Sequence, residues 1–197
     1  MPRDPITRFE RWRTKLPERT AFFVDLVFDE IVPLFIEHGF ERHADYAKGR
    51  NDALHPYTLA LQRRSGERWP TVELQFGDLG RPFLRVSFAA LPDICHRIGE
   101  HGEADIPRIE ANVVEGETFF SLCKGRNRDF DCSFGIMFFA VFWKKKLRSE
   151  VRQLHSLLPF LFELFDRGIP LDWEGRVGKV HPQVYANRGA KRLGQAG

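Results

Sequence analysis

Glu73 and Gln75 in "TVELQF", followed by Arg85 and Ser87 in "FLRVSF", come nearest to a catalytic spacing in this chain. Each pair is two residues apart, so on a strand both members share a face. A metal-dependent nuclease needs an acid on one strand and Asp/Glu-x-Lys on the next, where carboxylates hold Mg²⁺ and the lysine steadies the attacking water. Here Asp52 stands upstream, Glu73-x-Gln75 lacks the lysine, and Arg85-x-Ser87 lacks the acid. The simpler reading is structural. With Val72 facing Val86 in the hairpin, Glu73 falls opposite Arg85, a cross-strand ion pair worth about 0.2–1 kcal/mol.

Other clusters are weaker. His43, Asp45, Asp52 and His55 offer imidazole and carboxylate for zinc or iron, but at spacings that match no metal motif. Cys95-His96 with Cys123 and Cys132 could make a zinc site if the fold converged them. Three cysteines cannot all pair within the chain, and free buried thiols in a reducing cytosol is the plainest expectation. Gly-x-Ser-x-Gly and a glycine-rich loop ending in Lys-Ser/Thr are both missing from the sequence. No catalytic residue, metal ligand or cofactor is assigned.

Basic residues make a second kind of pattern. Lys144, Arg148 and Arg152 recur every four residues and should form a ridge on a helix, while Arg63, Arg64 and Arg68 crowd one hairpin turn. Such charges suffice for phosphate contacts; an exposed Trp69 could stack a base or pack on the sheet edge. The net charge of +3 does not itself argue for nucleic acid. Its distribution is uneven: Arg3, Arg8, Arg11, Arg13, Lys15 and Arg19 crowd the first segment, and no acid follows Glu174.

The elements that would position these groups follow from periodicity. Residues Pro17 to Gly39 read as a long helix with the stripe Phe28, Ile31, Val32, Phe35 and Ile36, interrupted by Pro33. Alternating strands then start at Tyr57, Thr71 and Phe83, and "FERHADYA" suggests an earlier edge strand. Leu59, Leu61, Val72, Leu74, Phe76, Leu84, Val86 and Phe88 fall on one face; Thr58, Gln62, Thr71, Glu73, Gln75, Arg85 and Ser87 fall on the other. "LPDICHRIGEHG" reads as a short helix and "ETFFSLCK" as a further strand. A last helix from about Lys145 to Arg167 carries the stripe Leu147, Val151, Leu154, Leu158, Leu161 and Phe165, with Pro159 expected to bend or restart it.

The run "FGIMFFAVFW", Phe134 to Trp143, has ten residues, about half of the roughly twenty that a spanning helix needs. It is expected to be buried on all sides, as a central strand or as the start of the last helix. Nineteen phenylalanines point to a core filled with rigid rings. The expected architecture is a single α+β domain over 17–174, an antiparallel sheet of four to six strands packed on one face by two long proline-interrupted helices. A basic segment, 1–16, would precede it and a basic tail, 175–197, would follow.

The helix end "FDEIVPLFIEHGFER", the strands "YTLALQRR" and "WPTVELQF" and the later "CHRIGE" resemble a bacterial family, domain of unknown function 4304. In that family a helix ending in Gly-Phe precedes alternating strands, one with a Gln, and an Arg-Ile/Leu-Gly segment follows. Gly39, Phe40, Gln62, Arg97, Ile98 and Gly99 stand at those positions, and the likeness spans roughly Leu26 to Arg167. It implies a bacterial source and an α+β fold, and no catalytic residues.

These readings lead to a cytoplasmic, non-catalytic protein that binds a protein or small molecule through Gln62, Glu73, Gln75, Arg85 and Ser87, without a membrane partner. The alternative is a nucleic-acid-binding protein, or a divergent metal-dependent nuclease, using Arg63, Arg64, Arg68, Lys144, Arg148 and Arg152.

Overall fold

The computed structural model describes residues 8–42, 57–77, 81–99, 102–107, 113, 119–124, 132–136, 141–167 and 183–187. Helix α1 (Arg8–Arg13) leads to α2 (Glu18–Glu30), which Pro17 precedes in an extended conformation. Helix α3 (Val32–Glu37) follows after a break at Ile31. The break fits Pro33, which has no N–H to give to the preceding turn. Gly39 closes α3 at φ +78°, and Phe40 N–H reaches back to Phe35 O at 3.0 Å. The long helix read from the sequence is thus a 13-residue and a 6-residue piece.

Strands β1 (Glu41–Arg42), β2 (Thr58–Gln62), β3 (Trp69–Phe76), β4 (Phe83–Leu91) and β7 (Phe119–Cys123) belong to one antiparallel sheet, with β9 (Gln183–Asn187) at its far edge. The order is β1-β2-β3-β4-β7-β9, and the two-residue β8 (Phe134–Gly135) pairs with β4 beyond the end of β7. Strands β5 (Ile94–Gly99) and β6 (Gly102–Pro107) form a separate hairpin. The expected short helix at Pro92 is therefore a strand pair. Ile94 to Gly99 find backbone partners in β6, so pairing overrides a local pattern of charges and turn residues. Strand β9 comes from the segment set apart as a basic tail.

Helix α4 (Trp143–Arg167) is a single 25-residue element. Pro159 neither ends nor restarts it. The proline is exposed, as is His155, the residue whose carbonyl loses an amide partner, so that carbonyl is on the solvent side of the helix. The stripe Leu147, Val151, Leu154, Leu158, Leu161 and Phe165 is fully buried. It packs with Phe23, Val24, Val27, Ile31 and Phe35 against Leu59, Leu61, Val72, Leu74, Phe76, Leu84, Val86 and Phe88, the sheet face expected to be apolar. Burial of each such side chain contributes about 1.5–3 kcal/mol before conformational entropy is counted.

The register of β3 and β4 differs from the expectation by two residues. Val72 faces Phe88, Glu73 faces Ser87, and Arg85 faces Gln75. The hairpin is fixed by Gly77 N–H, which donates to Phe83 O at 2.8 Å. A slip of two leaves every side chain on its face, so the sheet's two faces stand while the Glu73–Arg85 pair does not form.

The apolar run is also divided. Phe134 is buried in β8, but Val141 and Phe142 are 76% and 79% exposed in the turn before α4. β8 belongs to the sheet and α4 to the helical layer, and the turn immediately before α4 leaves two large side chains in water. Among the described residues no helix is long and apolar enough to cross a membrane.

Candidate functional site

The second face of the sheet carries the polar set. Registers align Gln62 with Thr71, Ala60 with Glu73, and Thr58 with Gln75, then Glu73 with Ser87, Gln75 with Arg85, and Ser87 with Ser121. The five residues Gln62, Glu73, Gln75, Arg85 and Ser87 do share one surface, which Ser121 extends. That surface is only partly open. Thr58, Ala60 and Thr71 are buried, and Ala89, Leu91, Cys95 and Val113 form a second, small core on this side with Phe119 packed against it. Glu73 is held at that border, where its Oε1 accepts a 2.6 Å hydrogen bond from Val113 N–H. Arg85 alone of the five is exposed.

The cations of the nucleic-acid set separate into two environments. Arg63 is clamped. Its Nη2 lies 2.5 Å from Asp166 Oδ1, its Nη1 donates to His38 O at 3.1 Å, and its guanidinium lies over the rings of Phe40 and Phe165. Arg64 lies over Trp69, whose indole N–H donates to Asp93 Oδ1 at 2.8 Å. Trp69 is half-buried, and Arg68 closes the turn through paired backbone bonds with Ser65.

Lys144, Arg148 and Arg152 are exposed, as Arg64 is, but they stand together along the start of α4. With Glu30, Val141, Phe142, Trp143 and Lys145 they line a cleft of about 660 Å³. Rings underlie the charges. Phe22 meets Trp143 edge to face at 5.4 Å; Lys144 lies over both rings, Arg148 over Phe22, and Arg19 over Trp143. Lys144 also sits 3.8 Å from Glu18, an exposed pair that adds little to stability. Helices α2 and α4 position this cleft because they lie side by side in the same direction. Phe22 meets Trp143 at one end, and Phe35, just beyond α2, meets Phe162 at the other.

Behind the cleft, Glu150 is buried on the apolar side of α4. It accepts hydrogen bonds from Lys124 Nζ at 2.7 Å and Gly135 N–H at 3.1 Å, and pairs with Lys146 at 2.9 Å. Burial pushes its carboxyl up, but the bonds from Lys124, Lys146 and Gly135 outweigh burial and hold it below the usual carboxylate range. The group ties α4 to β7 and β8. Its signal in the sequence is position: Glu150 stands three residues after Leu147, on the stripe itself.

Cys123 and Cys132 are joined in a disulfide, and Cys95 is free and buried. The expectation of three free thiols is corrected for two of them, and the zinc set with Cys95-His96 loses two donors. The two stand nine positions apart in sequence, a spacing that carries no standard signature. Among the described residues no group of three or more His, Cys, Asp or Glu is placed to hold a metal ion. The cluster His43, Asp45, Asp52 and His55 lies outside the described residues. Missed altogether in the sequence were Val141 and Phe142, because they belong to a run whose composition reads as core.

Comparison with protein-family models, curated proteins and solved structures finds no match to this chain.

Proposed function

We propose that this protein is a binding protein whose ligand is a nucleic acid, held at the cleft between α2 and the start of α4. The observation that carries the reading is the exposed ridge Lys144, Arg148 and Arg152, with Lys145 beside it and exposed Phe142 in the same wall. Cations supply the phosphate contacts, and a ring offers a surface for a base. Arg63 belongs to the fold rather than to the ligand, and Arg64 and Arg68 serve the turn between β2 and β3.

The polar sheet face is the second reading, for a protein or small-molecule partner. Exposed Arg85, beside half-buried Gln75, supports it. The small core around Val113 narrows the surface available. The likeness to domain of unknown function 4304 is proposed on the same residues as before: Gly39 follows α3, Phe40 packs on Phe35, Gln62 ends β2, and Arg97, Ile98 and Gly99 belong to β5.

The test is anisotropy of labelled DNA and RNA oligonucleotides across a salt series. Binding should weaken steeply as salt rises, and replacing Lys144, Arg148 and Arg152 together with alanine should reduce affinity at least tenfold at low salt and lower the salt slope by about two to three. No binding at low salt, where phosphate contacts are strongest, sinks the proposal. Binding that survives the triple variant and fails on Arg85→Ala moves the site to the sheet.

A further inference from the structure

We infer that the cleft takes a single strand and selects among bases, preferring cytosine and adenine. This rests on the nucleic-acid reading above, draws strandedness from Phe142 and adds one residue, Glu30.

The first step concerns strandedness. Phe142 is 79% exposed at the cleft wall, with Val141 beside it at 76%. A base can lie on such a ring only if its own face is open, and in a duplex both faces are covered by neighbouring bases. Single strands offer that face, and stacking on a protein ring is a principal source of their affinity. The ridge agrees with an extended strand. Lys144, Arg148 and Arg152 are four residues apart, so successive cations advance by about 6 Å along α4. That interval is of the order of the step between phosphates in an unstacked chain.

The second step concerns the base. Among the described residues that line the cleft, Glu30 is the one acid. It stands at the carboxyl end of α2, where the helix dipole disfavours a negative charge, and it faces a wall of cations. For a polyanionic ligand a carboxylate in this position is a repulsive element unless it accepts hydrogen bonds from the ligand. At the same edge position cytosine and adenine present an amine donor, whereas thymine, uracil and guanine present a carbonyl oxygen beside a single ring N–H. A carboxylate set against that position accepts from the first group and is opposed by the carbonyl of the second, the combination that gives specificity. The apolar part of the lining is Val141, Phe142 and Trp143 beside four cations, so a strand fits it better than a lipid surface, which requires a broad apolar face.

The experiment measures affinity of the full chain for short oligo-dC, oligo-dA and oligo-dT, for a duplex of matching length, and for anionic lipid vesicles. Oligo-dC and oligo-dA should bind about tenfold or more tightly than oligo-dT, the size of one good base contact. The duplex should bind more weakly than any favoured single strand. Phe142→Ala should cost single strands about tenfold with the salt slope unchanged. Glu30→Ala should erase the preference for oligo-dC by strengthening oligo-dT, a gain that unfolding could not produce. Equal binding of oligo-dT, oligo-dC and duplex overturns this inference while leaving the nucleic-acid reading intact. Binding to vesicles but to no oligonucleotide overturns both.

Discussion

The two ends of α4 are built from the same materials and do opposite things. At the carboxyl end, one arginine and several rings are closed on each other: Arg63 meets Asp166, the His38 carbonyl, Phe40 and Phe165, while His38 stacks on Phe162 at 3.6 Å. At the amino end, Lys144 and Arg148 lie over Phe22, and Lys144 over Trp143 as well, yet both cations are exposed. The Arg63 side chain is 15% exposed and that of Lys144 is 57% exposed. Cations beside aromatics are therefore not evidence of a binding surface by themselves. What separates a clamp from a site is whether the protein's own groups have already used the charge.

That contrast can be broken by substitution. Phe162→Ala should have the largest effect, about 3–5 kcal/mol of lost stability by chemical denaturation, because Phe162 is a centre of the closed end and meets Phe35, Phe40 and His38. Affinity for oligonucleotide should not change under conditions where the variant is folded. A loss of affinity there would mean that the two ends are not independent.

Glu150→Gln comes next, at about 2 kcal/mol near neutral pH, since hydrogen bonds to a buried charge are lost or weakened. The sign of the pH dependence follows from the lowered pKa of Glu150. A carboxylate depressed in the folded state contributes its full stabilisation above the unfolded value of about 4.3. That contribution falls as the pH drops through the folded pKa. Melting curves of the two proteins should thus lie furthest apart near neutrality and converge in acid. A gap that stays constant down to acid pH would show that the carboxylate's charge is not what ties α4 to β7 and β8.

Arg63→Ala should cost about 1–2 kcal/mol, less than its contacts suggest, because Asp166 is 61% exposed and solvent screens the pair. Arg63→Lys should recover only part of this, since an ammonium keeps the charge but cannot form the planar fork that reaches both Asp166 and His38 O. Full recovery by lysine would reduce the clamp to a point charge and weaken the comparison.

Periodicity carried much of this fold. β2, β3 and β4 alternate cleanly, so their faces could be assigned before their register, and the α4 stripe is legible residue by residue. Other features depend on partners that no local window contains. Ile94 to Gly99 is a strand because β6 pairs with it, and the Cys123–Cys132 bond needs β7 and β8 to share β4 as a neighbour. Of the candidate site, the basic ridge was readable from a spacing of four. Its aromatic part was not: Phe142 stands near the end of a run with the composition of core, and only its place in the turn before α4 puts it in water.

The placement of β9 bears on how the chain is made. Gln183–Asn187 pairs with β7 as the outermost strand, and roughly sixty residues separate it from Cys123. At synthesis rates of about 5–20 residues per second, the β7 edge waits several seconds for its neighbour. During that interval a nascent chain offers the unpaired backbone groups of Phe119–Cys123 to any other extended segment nearby. Slow translation of the stretch before Gln183 would therefore lengthen the period in which this protein can pair with the wrong strand.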